Sequence, residues 1–365
     1  MKDIRQLSQQ ELEAEISLLG EKSFRSKQIY EWIWQKSAHS FNQMTNLSKD
    51  LREKLQQNYI FNPIEVEHSQ YSNDGTIKNR FQLHDKHFVE GVLIPTPHRT
   101  TACVSSQVGC SLTCKFCATG QMKRERNLDP AEIYDQVVHI NQQSETHFGH
   151  RLSNIVFMGM GEPLLNYANV MSSIDKICSP SGLNMSPQRI TVSTAGVAKM
   201  IQKLADDRVR FNLALSLHAA NDAKRNQIMP INETNNLEVL KEALQYFYEK
   251  TGTRITFEYI VFHAFNDELR DAQELANFAR CVPCKINIIE YNTVEGTGLK
   301  NASREKVDAF ANYLQSKNLI VNVRRSRGKD IDAACGQLAN KNHSDKTQNK
   351  NTPQNDALID DDGMD

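Results

Sequence analysis

The strongest chemical signal in the sequence is a group of cysteines. The chain has eight, and three of them form the pattern C-x3-C-x2-C at Cys110, Cys114 and Cys117. Three thiolates at this spacing can point inward from one short loop, and thiolates are the usual protein ligands of iron–sulfur clusters. A structural zinc site normally needs a fourth Cys or His nearby. The pattern therefore favours a four-iron cluster over zinc, with one iron left open to a substrate or cofactor.

A glycine-rich turn follows one of the predicted strands. Gly159-Met160-Gly161-Glu162-Pro163 comes directly after the apolar segment NIVFM. Glycines let a backbone approach a ligand closely, and a carboxylate can pair with an ammonium group. Taken alone, the same residues also fit an ordinary tight turn between a strand and a helix.

From about residue 85, β-branched apolar segments alternate with amphipathic ones, which predicts parallel strands joined by crossover helices. The predicted strands are HFVEGVLIP, NIVFMGMG, RITVSTA, RFNLALSLH, RITFEYIVF, KINIIEYN and LIVNVRR. The predicted helices between them are PAEIYDQVVHINQQ, NVMSSIDKIC, VAKMIQKLA, LEVLKEALQYFYEK, ELRDAQELANFAR and REKVDAFANYLQSK. About six such units fit a partial or closed barrel, with ligands at the carboxyl ends of the strands. A doubly wound open sheet is the alternative that the pattern leaves open.

Composition restricts the class of protein. The 365 residues include 39% hydrophobic residues and carry a net charge of −1, which excludes a globally basic nucleic-acid coat. No apolar run approaches the ~18 residues of a membrane span, and the charged N-terminus lacks the apolar stretch of a signal peptide. We therefore expect a cytoplasmic protein without structural disulfides. Its predicted parts are a helical N-terminal domain (residues 1–80), an α/β core (85–340) and a disordered polar tail (341–365).

The cysteine pattern, with Phe116 before its last cysteine, resembles that of the radical S-adenosylmethionine (SAM) enzymes. The resemblance implies a partial (β/α) barrel of the radical SAM type and a [4Fe-4S] cluster. Its open iron binds the amino and carboxylate groups of SAM, and reductive cleavage of SAM yields a 5′-deoxyadenosyl radical. Gly161 and Glu162 match the turn that contacts the SAM amino group in that superfamily.

A narrower resemblance comes from several motifs in order: CVSSQVGCSLTCKFCATG, MGMGEPLLN, STAGV, LSLHA, PIN and DIDAACGQL. Together these are similar to the family that methylates C2 of adenine in RNA. The resemblance implies methylation of adenine 2503 of 23S rRNA and adenine 37 of some tRNAs through an S-methylcysteine, with two SAM molecules per turnover. It further implies an electron donor such as flavodoxin, and an enzyme that acts as a monomer. The N-terminal segment FRSKQIYEWI resembles the family's accessory RNA-binding region.

The same resemblance gives roles to three residues outside the cluster motif. Cys335 matches the cysteine that carries the methyl group, Cys103 the cysteine that resolves the protein–RNA crosslink, and Glu90 the base that removes the C2 proton. The matching SAM contacts are Gly161, Glu162, Ser193, Ser216, His218 and Asn292. We interpret the remaining cysteines, Cys178, Cys281 and Cys284, as structural.

Basic residues flank the matched cysteines. Lys123, Arg124 and Arg126 follow the cluster motif, and a second group over residues 324–329 precedes Cys335. We expect both groups to contact RNA phosphates and the second to favour ionisation of the Cys335 thiol.

Two other functions fit parts of the pattern. The related C8-adenine methyltransferases share the cluster and both catalytic cysteines, but they tend to replace the proline of Glu162-Pro163-Leu164. A non-catalytic, metal-stabilised RNA-binding protein would leave Cys103 and Cys335 without a role.

Overall fold

The computed structural model describes residues 1–340, and the tail predicted to be disordered (341–365) lies outside the described residues. The helices, in chain order, are α1 (Gln9–Leu18), α2 (Phe24–Trp34), α3 (Lys49–Asn58), α4 (Pro130–Phe148), α5 (Tyr167–Cys178), α6 (Ala198–Asp206), α7 (Asp222–Ile228), α8 (Leu237–Thr251), α9 (Leu269–Ala279) and α10 (Arg304–Ser316). The strands are β1 (Lys2–Asp3), β2 (Tyr59–Ile60), β3 (Glu65–Tyr71), β4 (Ile77–Gln82), β5 (Phe88–Thr96), β6 (Arg99–Cys103), β7 (Gln107–Val108), β8 (Arg126–Asn127), β9 (Asn154–Phe157), β10 (Ile190–Thr194), β11 (Asn212–Ser216), β12 (Ile255–Ile260), β13 (Cys284–Ile289) and β14 (Val321–Arg324).

One ten-stranded sheet organises the molecule. Its strand order is β14-β13-β12-β11-β10-β9-β6-β5-β4-β3. The pairs from β6 through β9 to β14 are parallel, whereas β3 to β6 form an antiparallel meander. Helices connect the successive parallel strands, as the alternation of segments predicted. The sheet therefore forms a partial barrel extended by antiparallel strands at one edge.

The N-terminal domain is a small helical unit that packs on the barrel. Ser8 caps α1 through a reciprocal capping box with Glu11, and Ser48 caps α3. The buried side chains of α1–α3 belong to the same continuous apolar cluster as the barrel core. Arg5 joins the two parts because its guanidinium donates to Asp135 on α4 at 2.7 Å and also pairs with Asp3 at 3.1 Å.

The expectation of a mainly helical segment through residue 80 is wrong for residues 65–82, which form β3 and β4. β3 has the sequence EVEHSQY, and most of its side chains are exposed, so it lacks the apolar alternation that marks a half-buried strand. The turn that connects it to β4 contains Asp74 and Gly75, and Gly75 has a φ of +83°, which glycine adopts without strain. The hairpin is thus specified by its turn more than by its strands.

The C-terminal segment, residues 325–340, crosses the gap between the two ends of the sheet. It leaves β14 at one end and reaches the β3–β4 turn at the other. There the backbone N–H of Gly328 donates to Asp74 at 2.9 Å, and the Ser72 hydroxyl donates to Asp330 at 2.6 Å. The segment carries Cys335 and completes the wall of the barrel where the strands do not meet.

Candidate active site

Strand register places a set of polar side chains on the interior face of the barrel. Cys103 on β6 lies opposite Val92 on β5, so Glu90, two residues from Val92, shares its face. Ser216 on β11 lies opposite Glu258 on β12. The same alternation puts Ser193 of β10 on this face, because Ser193 pairs with Ala214, two residues before Ser216. The interior is therefore polar, whereas the outer face packs against the helices.

The three cysteines of the motif lie in a loop between β7 and β8. The N–H of Cys117 donates to the carbonyl of Cys114 at 3.2 Å, and Lys115 N–H donates to the Ile228 carbonyl of α7 at 2.9 Å. Gly120 is required here, since a Cβ would lie 2.7 Å from the Cys114 carbonyl oxygen. These contacts hold the loop in a compact form over the carboxyl ends of the strands.

The cysteine thiols of this loop fit a cluster better than a single ion. Within residues 1–340, no three His, Cys, Asp or Glu side chains converge to hold one metal ion. A cluster does not require that convergence, because each thiolate binds a different iron. Burial raises the pKa of Cys110 to about 11 and raises the pKa values of Cys114 and Cys117 as well. Coordination to a metal is what would keep such thiols deprotonated at neutral pH.

The glycine-rich turn after β9 packs closely against Gln107. Gly161 has a φ of +93°, and a Cβ there would lie 2.5 Å from Cβ of Gln107. The Glu162 carboxylate accepts hydrogen bonds from the N–H groups of Leu164 at 3.0 Å and Ala195 at 2.8 Å. Burial raises the pKa of Glu162 to about 7 although these bonds oppose the shift. An ammonium group beside this carboxylate would stabilise its charged form.

Ser193, Ser216 and His218 lie at the ends of β10 and β11. The two serine hydroxyls are 3.4 Å apart. Nδ1 of His218 accepts a hydrogen bond from the Ile260 N–H at 3.2 Å, so Nε2 carries the proton of the neutral ring. The ring meets Phe116 edge to face at 4.6 Å. Burial and the nearby Arg225 lower the pKa of His218 to about 3, which keeps the imidazole neutral.

Asn292 follows β13 and contacts the C-terminal segment. Its side-chain amide donates to the carbonyl of Cys335 at 3.3 Å and to that of Glu290 at 3.4 Å. The sequence resemblance matched Asn292 to a SAM contact. The structure also gives this residue a backbone contact to the segment that carries Cys335.

Glu90 is buried and holds the C-terminal segment. One carboxylate oxygen accepts from the N–H groups of Ala339 at 2.8 Å and Asn340 at 3.2 Å. The other lies 3.5 Å from Nζ of Lys78, which in turn donates to the Asp332 carbonyl at 3.4 Å. The Lys78–Glu90 pair thus bonds the segment on both sides of Cys335, at residue 332 and at residues 339–340.

Cys103 and Cys335, the two cysteines matched to catalytic roles, lie near each other. Cys103 is buried on the inner face of β6, while Cys335 is an exposed residue of the C-terminal segment. Burial raises the pKa of the Cys103 thiol, and the neighbouring Cys335 raises it further. All eight cysteines of the chain are free thiols in the structure.

Of the basic group over residues 324–329, Arg324 favours ionisation of the Cys335 thiol as expected, but burial and a nearby carboxylate outweigh it. The surrounding protein and the Glu258 carboxylate raise the pKa of the Cys335 thiol, and Arg324 opposes them only in part. Lys329 is occupied by Glu290, with 2.6 Å between Nζ and the carboxylate. Arg327 donates to the Asp74 carbonyl at 3.5 Å.

The proposed phosphate contacts after the cysteine motif are only partly available. Arg126 pairs with Asp85 at 2.6 Å and with Glu132 at 2.8 Å, so its charge is already neutralised. Lys123 and Arg124 are exposed. Arg126 is therefore better described as a structural residue that anchors β8 to α4.

Three charged residues of the site carried no signal in the sequence. They are Lys78, Arg225 and Glu258, all buried. Glu258 lies between Phe257 and Tyr259 on β12, an alternation that solvent-facing residues also show. Lys78 lies between Ile77 and Asn79 on β4, a strand of mixed polarity. Arg225 lies in a helix of only seven residues with a polar sequence. No spacing rule separates such residues from surface charges.

The comparisons with known proteins agree with this architecture. Residues 2–60 match the family model of the ribosomal RNA large subunit methyltransferase N-terminal domain, and residues 104–276 match that of the radical SAM superfamily. The chain is 61% identical to a probable dual-specificity RNA methyltransferase RlmN of Cytophaga hutchinsonii, over 93% of each chain. It is 58% identical to the protein of the same name from Christiangramia forsetii, over 93% of this chain and 97% of the other.

A solved structure confirms the fold. A radical SAM methyltransferase from Sphaerobacter thermophilus superimposes with a TM-score of 0.87 at 37% sequence identity, and the match covers 93% of this chain and 99% of the other. The predicted α/β fold of the radical SAM type is thereby confirmed. The family implies SAM and an iron–sulfur cluster as cofactors. No helix within residues 1–340 is both long and apolar enough to cross a membrane. With two family models and full-length relatives in agreement, this chain belongs to the RlmN family of radical SAM RNA methyltransferases and is a SAM-dependent enzyme.

Proposed function

We propose that the protein methylates C2 of adenine 2503 in 23S rRNA and of adenine 37 in some tRNAs through S-methylation of Cys335. The observation that carries this proposal is the position of Cys335. Its thiol lies within electrostatic range of the Cys103 thiol and of Cys117 in the cysteine motif, on a segment bonded to Glu90. The relatives are named as dual-specificity RNA methyltransferases, which supports more than one RNA substrate, and the matched N-terminal family model is named for ribosomal RNA.

Two groups of residues bind the two cofactors. Cys110, Cys114 and Cys117 hold a [4Fe-4S] cluster. SAM is held by Gly161, Glu162, Ser193, Ser216, His218 and Asn292. When bound, the cluster supplies one electron, and two SAM molecules per turnover supply a methyl group and a centre that removes one hydrogen atom. An electron donor such as flavodoxin provides the electron from outside.

Cys335 carries the carbon to the RNA. Its thiolate attacks the methyl carbon of the first SAM and displaces S-adenosylhomocysteine, so that Cys335 becomes S-methylcysteine. Loss of one hydrogen atom from that methyl group leaves a methylene radical on the Cys335 sulfur. This carbon adds to C2 of adenine, an electrophilic position that resists direct methylation by SAM. The product is a covalent bond between Cys335 and the RNA base.

Glu90 and Cys103 release the product. Glu90 accepts the C2 proton. The adduct also gives up one electron, which the cluster held by Cys110, Cys114 and Cys117 would take back, and the ring becomes aromatic again. The Cys103 thiolate then attacks the Cys335 sulfur, and the carbon leaves with the bonding electron pair and takes a proton to become the methyl group. The disulfide between Cys103 and Cys335 requires two electrons from a thiol reductant before the next turnover. Its formation in a reducing cytoplasm is therefore transient.

RNA reaches this site as a large polyanion. The helical N-terminal domain serves as its accessory binding surface, and Lys123 and Arg124 lie exposed just after the cysteine motif. We propose that the enzyme acts as a monomer in the cytoplasm, where both substrates and reductants are present.

The experiment is mass spectrometry of ribosomal and transfer RNA from cells with and without the gene for this chain. We expect 2-methyladenosine to disappear on deletion and to return with the wild-type chain, but not with Cys335→Ala. Detection of 8-methyladenosine instead would assign the protein to the related C8 methyltransferases. Unchanged RNA in both strains would contradict a methyltransferase role for this chain in those cells.

The cluster is tested separately. Anaerobically reconstituted protein should bind about four irons and four sulfides and show a broad visible absorption that oxygen bleaches. Cys114→Ala should abolish the absorption, whereas Cys178→Ala should retain it, because Cys178 lies at the end of α5 outside the motif. Stoichiometric zinc without iron would refute the cluster.

A further inference from the structure

Arg225 is a buried cation whose purpose does not follow from the reaction described above. It lies in α7 and is fully shielded from solvent. Burying a charge is costly unless the charge is paired, so a buried arginine normally has a carboxylate partner. The position of this residue therefore requires an explanation.

The guanidinium of Arg225 is fixed by neutral acceptors. Nε donates to the Leu217 carbonyl at 3.1 Å, and one terminal nitrogen donates to the Asn232 side chain at 2.7 Å. The other terminal nitrogen donates to the carbonyls of Ala195 at 2.6 Å and Ser216 at 3.3 Å. Bonds from the ends of β10 and β11 therefore hold the cation in one place without neutralising it.

Two other arginines, one buried and one half-buried, are different. Arg5 pairs with Asp3 and Asp135, and Arg126 pairs with Asp85 and Glu132. Within residues 1–340, no carboxylate lies within ion-pair distance of Arg225. Its pKa accordingly falls to about 10 through burial, whereas carboxylates raise the pKa values of Arg5 and Arg126. At neutral pH Arg225 is still charged.

The cysteine loop lies against the helix that carries Arg225. The backbone of Lys115, next to Cys114, donates to Ile228, one turn after Arg225 on the same helix. Cys114 and Cys117 pack against the apolar cluster that contains Ile228. Ala195, whose carbonyl accepts from the Arg225 guanidinium at 2.6 Å, belongs to the same apolar cluster, so the cation and the cysteine loop contact a common set of residues. The Asp222 carboxylate acts on Arg225 from beyond ion-pair distance, and Asn232 lies between them, accepting from Arg225 at 2.7 Å and donating to Asp222 at 2.8 Å. The thiolates of the cysteine loop are the second set of negative charges that this cation can stabilise.

We propose that Arg225 is the fixed counter-ion of the iron–sulfur cluster and that its charge raises the reduction potential of that cluster. This inference rests on the proposed role of Cys114 as a cluster ligand. Reduction adds one electron and makes the cluster and its thiolates more negative by one unit. A fixed cation stabilises the reduced form more than the oxidised form, since net charge and environment set the potential of such clusters. Arg225 acts through the cluster and is a positioning residue.

The test is a redox titration of reconstituted protein, followed by visible absorption and electron paramagnetic resonance. Arg225→Gln should lower the midpoint potential by at least about 59 mV, which corresponds to tenfold less favourable one-electron reduction. Arg225→Lys keeps the charge and should stay much closer to the wild-type value. Arg5→Gln is the matched control, because it removes a buried arginine from the N-terminal domain and should leave the potential unchanged.

The outcomes are distinct. An unchanged potential in Arg225→Gln would overturn the proposal, and so would an equal drop in Arg225→Lys, which would assign the effect to lost hydrogen bonds. If Arg225→Gln does not fold by circular dichroism, Asn232→Asp replaces it, because that change places a carboxylate on the same guanidinium. It should lower the potential in the same direction, and no shift would refute the inference. Absence of any cluster in the wild-type chain would instead contradict the proposed function.

Discussion

The carboxylate of Glu90 accepts a hydrogen bond of 2.8 Å from the backbone of Ala339, a residue 249 positions later in the chain. The same carboxylate pairs with Lys78, which bonds the carbonyl of Asp332. The residue matched to a catalytic base therefore also fixes the segment that carries Cys335. Variants of Glu90 alter two functions at once, and a partner residue is needed to separate them.

Variants of Lys78 can separate the docking function of Glu90 from its proposed role as a base. Lys78→Met and Glu90→Gln should each reduce the free energy of unfolding by about 3 kcal/mol, because each leaves one buried partner without its counterpart. The double variant should lose less than the sum, which urea denaturation of the four chains will measure. Hydrogen exchange of residues 332–340 should accelerate in both single variants. Additive losses would show that the pair does not act as a unit.

Glu90→Gln and Lys78→Met should differ in chemistry. Lys78→Met retains the carboxylate, so it should still complete turnover once the segment is docked. Glu90→Gln should stop after the covalent bond to RNA forms, because the C2 proton has no acceptor. Intact-mass analysis after nuclease digestion will detect a nucleotide-sized adduct on Cys335. Equal adduct levels in the two variants would assign Glu90 to docking alone.

Cys103→Ala should purify with RNA attached to Cys335. Without Cys103 no thiolate can attack the Cys335 sulfur, and the crosslink persists. Cys284→Ala is the control, since Cys284 is also buried but lies at the start of β13, and it should purify without RNA. The double variant Cys103→Ala, Cys335→Ala should also be free of RNA. RNA-free Cys103→Ala with ordinary turnover would exclude the resolving role.

His218→Asn should change the pH dependence of stability. The pKa of His218 is about 3 in the folded chain against 6.5 for an ordinary histidine, so only the unfolded chain takes up this proton between those values. Wild-type stability therefore loses about 1.4 kcal/mol per pH unit from this residue as pH falls below 6.5, and none above it. Asparagine suits the left-handed φ of +54° at this position and does not titrate.

The measurement compares urea unfolding of both chains at several pH values. The stability difference between wild type and His218→Asn should shift by about 2 kcal/mol between pH 6.5 and pH 5 and stay constant above pH 7. Taking the difference removes the contribution of Glu162, whose raised pKa acts in the opposite direction. A difference independent of pH would mean that His218 is not held neutral.

Asp135→Asn should loosen the N-terminal domain. It removes the partner that the buried Arg5 contacts at 2.7 Å, and we expect a loss of about 3 kcal/mol. Limited proteolysis should then cut between residues 58 and 65, after α3. Glu145→Gln, which disrupts only the exposed pair with Arg151, should leave the cleavage pattern unchanged. Equal resistance of both variants would show that apolar packing alone holds the domain.

The repeated part of the fold was predictable because its strands are continuous apolar runs. β9 to β14 and the longer helices between them were all indicated by the sequence. β3, β6 and α7 were not. β3 is polar on both faces, β6 has the sequence RTTAC, and α7 is too short to show a helical period.

Only those residues of the site that belong to a recognisable sequence motif could be predicted. The loop with Cys110, Cys114 and Cys117 has a spacing that few other structures require. Glu258 and Lys78 face a polar barrel interior, and alternation of polar and apolar residues looks the same whether the polar face meets solvent or a cavity. Their burial depends on closure of the barrel by residues far away in the chain, which no local pattern encodes.

The C-terminal segment has a consequence for synthesis of the protein. Residues 110–117 leave the ribosome long before Cys335, and domains generally fold from the N-terminus during translation. The cysteine loop and most of the strands can therefore assemble while the last residues are still being made. The carboxylates of Glu90 and Asp74 gain these hydrogen-bond donors only after residues 328–340 have been made. The donors are the backbone N–H groups of Gly328, Ala339 and Asn340. A nascent or truncated chain without this segment lacks Cys335, so the methyl transfer that we propose for Cys335 cannot begin in it.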